Sequence, residues 1–348
     1  MTPIIEIRNL TKRYGRRMAV DGLNLTVEPG EIFGFVGPNG AGKTTTIRIM
    51  ATLMRATSGE VLIAGHSVQK SPNDVRRAIG YMPDFFGVYN NMKVWEYLDF
   101  FAACYHIPEP ARKPLIDDLL ELVDLRHRYD DQVDKLSRGM KQRLSIARTL
   151  VHDPQLLILD EPASGLDPRA RIEIRELMLQ LARMGKTIFF STHILADVAE
   201  ICTRVSILEA GKVAALGELE SLQQQMMPRR KIEITVLGSA EAAMALLSQL
   251  PGVSDLQAPH AANNGGTAGN GEDAASAAAA ASKGTDQLSA QPKANKRSRF
   301  TLEFTSDDAQ MSQILSTLVR ENIAVVQFNA DTRDLEAVFM KATKGLVT

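Results

Sequence analysis

The sequence predicts a two-domain chain, an α/β domain with a largely parallel sheet followed by a smaller α+β domain. Three observations carry this. The first half alternates β-rich runs, Ile4 to Ile7, Glu31 to Val36, Leu156 to Leu159 and Thr187 to Ser191, with longer helical patterns, as crossover connections between parallel strands require. Between Trp95 and Leu150 the strand signal stops. There Trp95 to Tyr105 and Leu115 to Leu125 carry apolar residues at helical spacing, which predicts a helical subdomain at 88–150 inserted between strands. Beyond residue 230 a weak duplication appears. Ile232, Ile234 and Val236 alternate with polar residues, as do Phe300, Leu302 and Phe304. Each run precedes a helical pattern (Met244, Leu247, Leu250; Met311, Ile314, Leu315, Leu318) and then a short apolar run (Val253 to Leu256; Ile323 to Phe328). Two βαβ halves of this kind predict a ferredoxin-like domain.

The boundaries follow composition. A turn-like segment from Gly211 to Gly217 closes a first domain at 1–218, the Gln-rich stretch 219–229 reads as a linker, and 230–348 forms the second domain. Within the latter, 258–298 is Ala-, Gly-, Asn- and Ser-rich with almost no large apolar residue. Burial there cannot offset the entropy of ordering, so a disordered insertion is expected, with the alanine run Ala277 to Ala281 transiently helical.

At 348 residues, each domain is long enough to bury a core. Lys and Arg total 40 against 41 Asp and Glu, a net charge of -1 that lacks the field needed to hold a polyanion, so no nucleic acid partner is expected. The 2 cysteines, Cys104 and Cys202, are too few for a disulfide framework and suit a reducing cytosol. No apolar run approaches the ~20 residues that span a bilayer, and the Met1 to Glu6 start lacks a signal peptide's regions. A membrane role would therefore need another polypeptide.

The chemistry concentrates in Gly37-Pro38-Asn39-Gly40-Ala41-Gly42-Lys43-Thr44, which fits G-x-x-x-x-G-K-[ST] between the strand Glu31 to Val36 and the helical pattern Thr45 to Leu53. Glycines let successive backbone N–H groups face the phosphates of ATP, and the helix start adds its positive dipole end. Lys43 neutralises the β- and γ-phosphates, and Thr44 offers a hydroxyl to Mg²⁺. Leu156 to Glu161 reads as a buried strand ending in two carboxylates. Strand neighbours point opposite ways, so Asp160 can hold Mg²⁺ through water while Glu161 polarises the water that attacks the γ-phosphate.

Leu136-Ser137-Arg138-Gly139-Met140, 20 residues before the strand that ends in Asp160, resembles the signature motif of the ATP-binding-cassette family. Other segments match in order. Tyr14 in Lys-Arg-Tyr-Gly resembles the aromatic residue that stacks on adenine, Ser164-Gly-Leu-Asp167 resembles the loop that crosses the dimer interface, and His193 in Ser-Thr-His resembles the switch histidine. The resemblance spans about the first 220 residues and implies a P-loop ATPase fold with an inserted helical subdomain. It implies ATP and Mg²⁺ as cofactors, with Tyr14, the loop from Gly37 to Thr45, Ser137 and Gly139 contacting nucleotide. It also implies a head-to-tail homodimer in which each ATP lies between one copy's phosphate loop and the partner's Ser137. Glu161 and His193 are then the catalytic residues, and Thr44, Asp160 and Asp84 face the metal. The sequence departs from the family at Arg138 (usually glycine), Met140 (usually glutamine) and Asp84 (usually glutamine).

The resemblance further implies an ATPase that powers transport through a separate transmembrane permease, from the inner face of the cell membrane. Phe85 to Asn90 is the expected docking segment for that permease. The ending Asp334 to Phe339 resembles the tail of exporter-type members, so export is favoured over import. The alternative is a soluble ATPase of this type that remodels a non-membrane partner. A long coiled-coil insertion or a second cassette would mark it, and neither is present. The cluster Lys293, Lys296, Arg297 and Arg299 suits either anionic lipid or a solvated linker end.

Overall fold

The computed structural model describes residues 2–85, 91–219, 221–222, 230–250, 252–261, 297–304 and 308–330. Phe86 to Asn90, the alanine run, Lys293, Lys296 and the segment Asp334 to Phe339 lie outside the described residues. The chain divides into two compact units, Met1–Met226 and Met227–Asp334.

In the first unit the elements run β1 Ile5–Tyr14, β2 Arg17–Val27, β3 Ile32–Val36, α1 Lys43–Met50, β4 Ser58–Ile63, β5 His66–Ser67, α2 Pro72–Ala78 and β6 Ile79–Met82. Then follow α3 Val94–Cys104, α4 Glu109–Leu122, α5 Arg138–Leu150, β7 Leu156–Asp160, α6 Pro168–Arg183, β8 Thr187–Thr192, α7 Leu195–Ile201, β9 Arg204–Glu209 and β10 Lys212–Glu218. Six strands form one sheet in the order β10-β9-β3-β8-β7-β6, parallel from β9 to β6, with β10 antiparallel at the edge.

Strands β3, β7 and β8 are buried at every position. That is why they appear in the sequence as continuous apolar runs, the mark of a parallel sheet covered on both faces. Successive residues still face opposite ways. Phe33, Phe35, Leu156, Ile158 and Phe189 enter one core, in which Phe33 stacks on Phe189 with ring centroids 5.6 Å apart. Val36, Leu157, Leu159, Ile188 and Phe190 enter the other, which they share with Tyr97, Leu98, Leu120 and Leu144 of α3, α4 and α5. Among the described residues no strand lies between β6 and β7, so these helices form an insertion at that crossover.

One layer is absent from the sequence reading. Strands β2, β1, β4 and β5 form a separate antiparallel sheet over the Phe33 core. Only Ile4 to Ile7 is recognisable in advance, because register shifts between Ile7, Leu10, Lys12 and Arg13 break the period-2 pattern along the rest of β1. At the end of this unit, Leu219 and Leu222 are buried in the helical-side core, although both fall inside the Gln-rich stretch assigned to a linker.

The second unit contains β11 Arg230–Leu237, α8 Ala240–Gln249, β12 Val253–Ala261, β13 Arg297–Phe304, α9 Asp308–Arg320 and β14 Ala324–Ala330. Its sheet has the order β12-β13-β11-β14, antiparallel throughout. Ile232, Ile234, Val236, Phe300, Leu302 and Phe304 pack against Ala243, Leu247, Ile314 and Leu318. Both β12 and β13 reach into the stretch expected to be disordered, with His260 pairing Arg299 and Ala261 pairing Ser298. Backbone pairing to a formed neighbour strand does not need an apolar side chain, which is why composition places that boundary too early.

The Phe189 ring, fully buried between Phe33 and Phe35, ties the parallel sheet to the antiparallel layer. Phe189→Ala is expected to cost about 3–5 kcal/mol, measured by urea denaturation of the full chain.

Candidate functional site

The parallel register brings four strand ends into one row. Val36 lies beside Thr192, Asp160 beside Ser191, and Met82 beside Leu159. The residues just past those ends, Gly37, Glu161, His193 and Asp84, are therefore neighbours although up to 156 positions separate them in sequence. Open α/β sheets bind ligands at this edge.

The first of these segments is the Gly37 to Thr44 loop. Gly42 has φ 105°, and a Cβ there would stand 2.5 Å from the Ala19 carbonyl oxygen, so both backbone and space demand glycine. The chain then enters α1, whose first-turn N–H groups have no partners within the helix. Lys43 is 6% exposed. Its Nζ donates to the Gly37 carbonyl at 2.6 Å and the Pro38 carbonyl at 3.3 Å, and lies 3.4 Å from Glu161 Oε1.

Across the row, the Ser191 hydroxyl organises both carboxylates. Its Oγ donates to Asp160 Oδ1 at 2.6 Å and accepts the Glu161 N–H at 3.1 Å. Thr44 Oγ1 donates to the same Asp160 oxygen at 3.4 Å, while the buried Oδ2 has no partner. Burial pushes the Asp160 carboxyl above the usual carboxylate range. The Ser191 and Thr44 hydrogen bonds oppose that shift, and the nearby charges of Asp84 and Glu161 add to it.

Glu161 diverges from Asp160 for a reason other than strand alternation. It lies past the end of β7 with φ 51°, left-handed for a residue with a side chain. Such backbone costs roughly 1–3 kcal/mol and persists where neighbours over-determine it. Here the Ser191 carbonyl (3.2 Å) and hydroxyl both hold its N–H. The turn aims the carboxylate at Lys43 and at His193, whose Nδ1 is 2.8 Å from Oε2.

These groups face a cleft of about 510 Å³ lined by Tyr14, Pro38, Asn39, Gly40, Gly42, Lys43, Thr44, Thr45, Asp84, Glu161 and His193, together with Arg17, Ala19 and Ser164. Of the remaining sequence-derived candidates, Ala41 is buried behind the loop and Asp160 lies beneath it. Tyr14 is fixed by a hydrogen bond from its hydroxyl to Met54 Sδ (2.8 Å), with Lys12 Nζ 5.1 Å from the ring centre.

Ser137 and Gly139 are not part of this cleft. Ser137 caps α5, its Oγ accepting the Met140 N–H at 3.3 Å. Both line a separate depression of about 220 Å³ with Gly165 and Asp167. The Arg138 guanidinium lies against Gly165, its central carbon 2.5 Å from where a Cβ would sit, and Met140 packs on the helical-side core.

Sequence reasoning missed Ser191, taken as an ordinary strand residue, and Arg17. The Ser-Thr-His run offered a signal for the first. Arg17 is one of several arginines in its segment, and nothing in the sequence separates it from the others.

The cleft can hold a polyphosphate against lysine and backbone donors and place a carboxylate at its far end. A hard cation fits beside Thr44 and Asp160, whose donors are oxygens and whose Oδ2 is unpartnered. No group of three or more His, Cys, Asp or Glu suited to a metal is found among the described residues, so further ligands would come from phosphate and water.

Residues 20–164 match the family model described as ABC transporter. The chain is 39% identical over 222 residues to the Nod factor export ATP-binding protein I of Cupriavidus metallidurans, covering 64% of this chain and 73% of that protein. It is 40% identical over 258 residues to the bacitracin transport ATP-binding protein BcrA of Bacillus licheniformis, covering 74% and 82%. Among solved structures, the dimeric post-hydrolysis state of the ATP-binding cassette MJ0796 bound to ADP and Pi is 26% identical with a TM-score of 0.57, covering 62% of this chain and 98% of that one.

Because burial raises the Asp160 pKa, the ionised carboxylate costs stability above that pKa, and the cost disappears below the unfolded pKa. Asp160→Asn, which can still accept from Ser191 and Thr44, should raise the melting temperature at neutral pH. The expected rise is a few degrees, as about 1 kcal/mol gives in a unit of this size. The difference should close at acid pH, as followed by calorimetry.

Proposed function

The chain belongs to the ATP-binding-cassette family as the ATPase subunit of a transporter, and from that premise we propose how its residues bind and hydrolyse ATP to drive export through a separate permease. The observation that carries the reading is the Lys43–Glu161–His193 cluster at the end of the phosphate loop.

The Gly37 to Thr45 backbone and Lys43 take the phosphates, and Tyr14 provides a platform for adenine. Arriving phosphates compete for Lys43, which then leaves Glu161. Freed of that contact and still oriented by His193, the Glu161 carboxylate accepts a hydrogen bond from water and takes its proton as the oxygen attacks the γ-phosphate. With Nδ1 committed to Glu161, the other His193 nitrogen is left to meet a γ-phosphate oxygen, donating when the ring is doubly protonated. Mg²⁺, bound at Thr44 and Asp160, would neutralise charge developing on the phosphates. Asp84 faces the same cleft and places a further negative charge near Asp160.

Ser137 and Gly139 line a depression apart from the phosphate loop, which supports a composite site. A second copy, arranged head to tail, brings its own Ser137 to this cleft, so ATP closes a homodimer and hydrolysis reopens it. The cassette, expected at 1–218, also takes in Leu219 and Leu222, which pack into its helical-side core. Beyond it, the strand order β12-β13-β11-β14 supports reading the second unit as a ferredoxin-like domain, which serves to brace the dimer.

No helix among the described residues is long and apolar enough to cross a membrane. The permease is a separate subunit, as in the family, and the cassette works at the membrane's inner face. A groove of about 480 Å³ lined by Leu53, Tyr81, Phe101, Tyr105, Arg148 and His152 is suited to receive it. Leu53 is 63% exposed and Tyr105 stacks on His152 at 3.8 Å, the apolar and aromatic character of an interface core. Phe85, 80% exposed, lines a separate depression with Arg138, Lys141 and Gln142.

Glu161→Gln should bind ATP and hold the dimer closed while losing most turnover, read by phosphate release and by size-exclusion chromatography with ATP. Normal turnover in this variant would remove Glu161 from the reaction. Asp84→Gln should shift the Mg²⁺ and pH dependence of hydrolysis; unchanged profiles would leave Asp84 outside the metal's surroundings. Co-purification from detergent-solubilised membranes should recover an integral membrane protein.

A further inference from the structure

We propose that Arg17 is a phosphate-binding residue of the nucleotide cleft, a second cation supplied by the β1–β2 hairpin alongside Lys43. The proposal rests on reading the cleft as an ATP site.

The hairpin register pairs Tyr14 with Arg17 across a two-residue turn, so both side chains leave the same face of the antiparallel layer. Both line the cleft. Tyr14 is the adenine platform, whereas a terminal Arg17 nitrogen lies 3.5 Å from where a Cβ on Gly40 would sit. Gly40 is the middle glycine of the phosphate loop and leaves that space open. Arg17 is therefore the strand partner of Tyr14 and carries its guanidinium to the loop that receives the phosphates.

Charge in the cleft points the same way. Its lining holds Arg17, Lys43, His193, Asp84 and Glu161, with Asp160 buried beneath. Lys43 is committed to two loop carbonyls and Glu161, and His193 to Glu161. Arg17 has neither an ion pair nor a hydrogen bond among the described residues, although its neighbour Arg13 donates to the Gly15 carbonyl. An ATP polyanion entering beside three carboxylates needs more positive charge than one shared lysine provides. Arginine meets phosphate with two parallel N–H donors and cannot lose its charge, which lysine at the same place would not match. The competing account is a solvated hairpin-tip arginine. It gives no reason for the guanidinium to lie over Gly40 and predicts no effect on nucleotide.

The test measures ATP affinity of the full chain against salt concentration for wild type, Arg17→Ala and Arg17→Lys, with Lys43→Ala as the control for the cleft. Arg17→Ala should weaken ATP about tenfold at low salt and flatten the dependence of log Kd on log salt, because one ionic contact is gone. Arg17→Lys should restore the salt dependence and part of the affinity. An Arg17→Ala affinity within twofold of wild type overturns the proposal. A loss with unchanged salt dependence also overturns it, since Arg17 would then act by supporting Tyr14. A wild-type chain that fails to bind ATP, or a Lys43→Ala variant that binds it normally, overturns the reading of the cleft instead.

Discussion

The parallel register of β3, β8, β7 and β6 is the constraint on which the rest of the first unit depends. Because all four strands run the same way and end level, loops from four distant segments emerge together. Both faces of the sheet must be covered for such strands to remain buried, by the antiparallel layer on one side and by α3, α4 and α5 on the other. Those covering layers also bring further residues to the surface beside the strand ends. The antiparallel layer brings Tyr14 and Arg17 to the cleft, and the helical insertion presents Ser137.

Within the row, a single hydroxyl separates the work of two adjacent acids. Ser191 bonds Asp160 through its proton and the Glu161 N–H through its lone pair. Asp160 is thereby kept beneath the loop beside Thr44, and Glu161 is turned out toward Lys43 and His193. The stability lost to a buried, partly unsatisfied carboxylate and to left-handed backbone at Glu161 falls at the residues proposed to perform the chemistry. Strain and desolvation commonly collect at such places.

The helical insertion has two consequences. It places Ser137 on a helix cap outside the cleft of its own chain, as the proposed composite site requires. It also creates, against the strand edge near Tyr81, an aromatic groove with arginine and histidine at its base. The proposed hydrolysis site at the strand ends and this groove both border the same buried sheet, the groove through Ile79 and Tyr81 of β6.

By itself the sequence determined the elements whose signals are local. The buried strands appear as apolar runs, the phosphate loop as a glycine pattern between strand and helix, and the two carboxylates as the end of such a run. The helical insertion and both halves of the second unit were legible for the same reason, since periodicity belongs to neighbours in the chain. The tertiary structure alone decided what depends on register and register shifts. It revealed the antiparallel layer hidden by irregular pairing, and the strand ends that outlast their apolar pattern. It also supplied the left-handed turn that aims Glu161, the Ser191 hydroxyl that joins the Asp160 carboxylate to the Glu161 N–H, and the placement of Arg17 over Gly40. Each of these is a contact between residues remote in sequence, and no local pattern specifies such a contact until the strands have aligned.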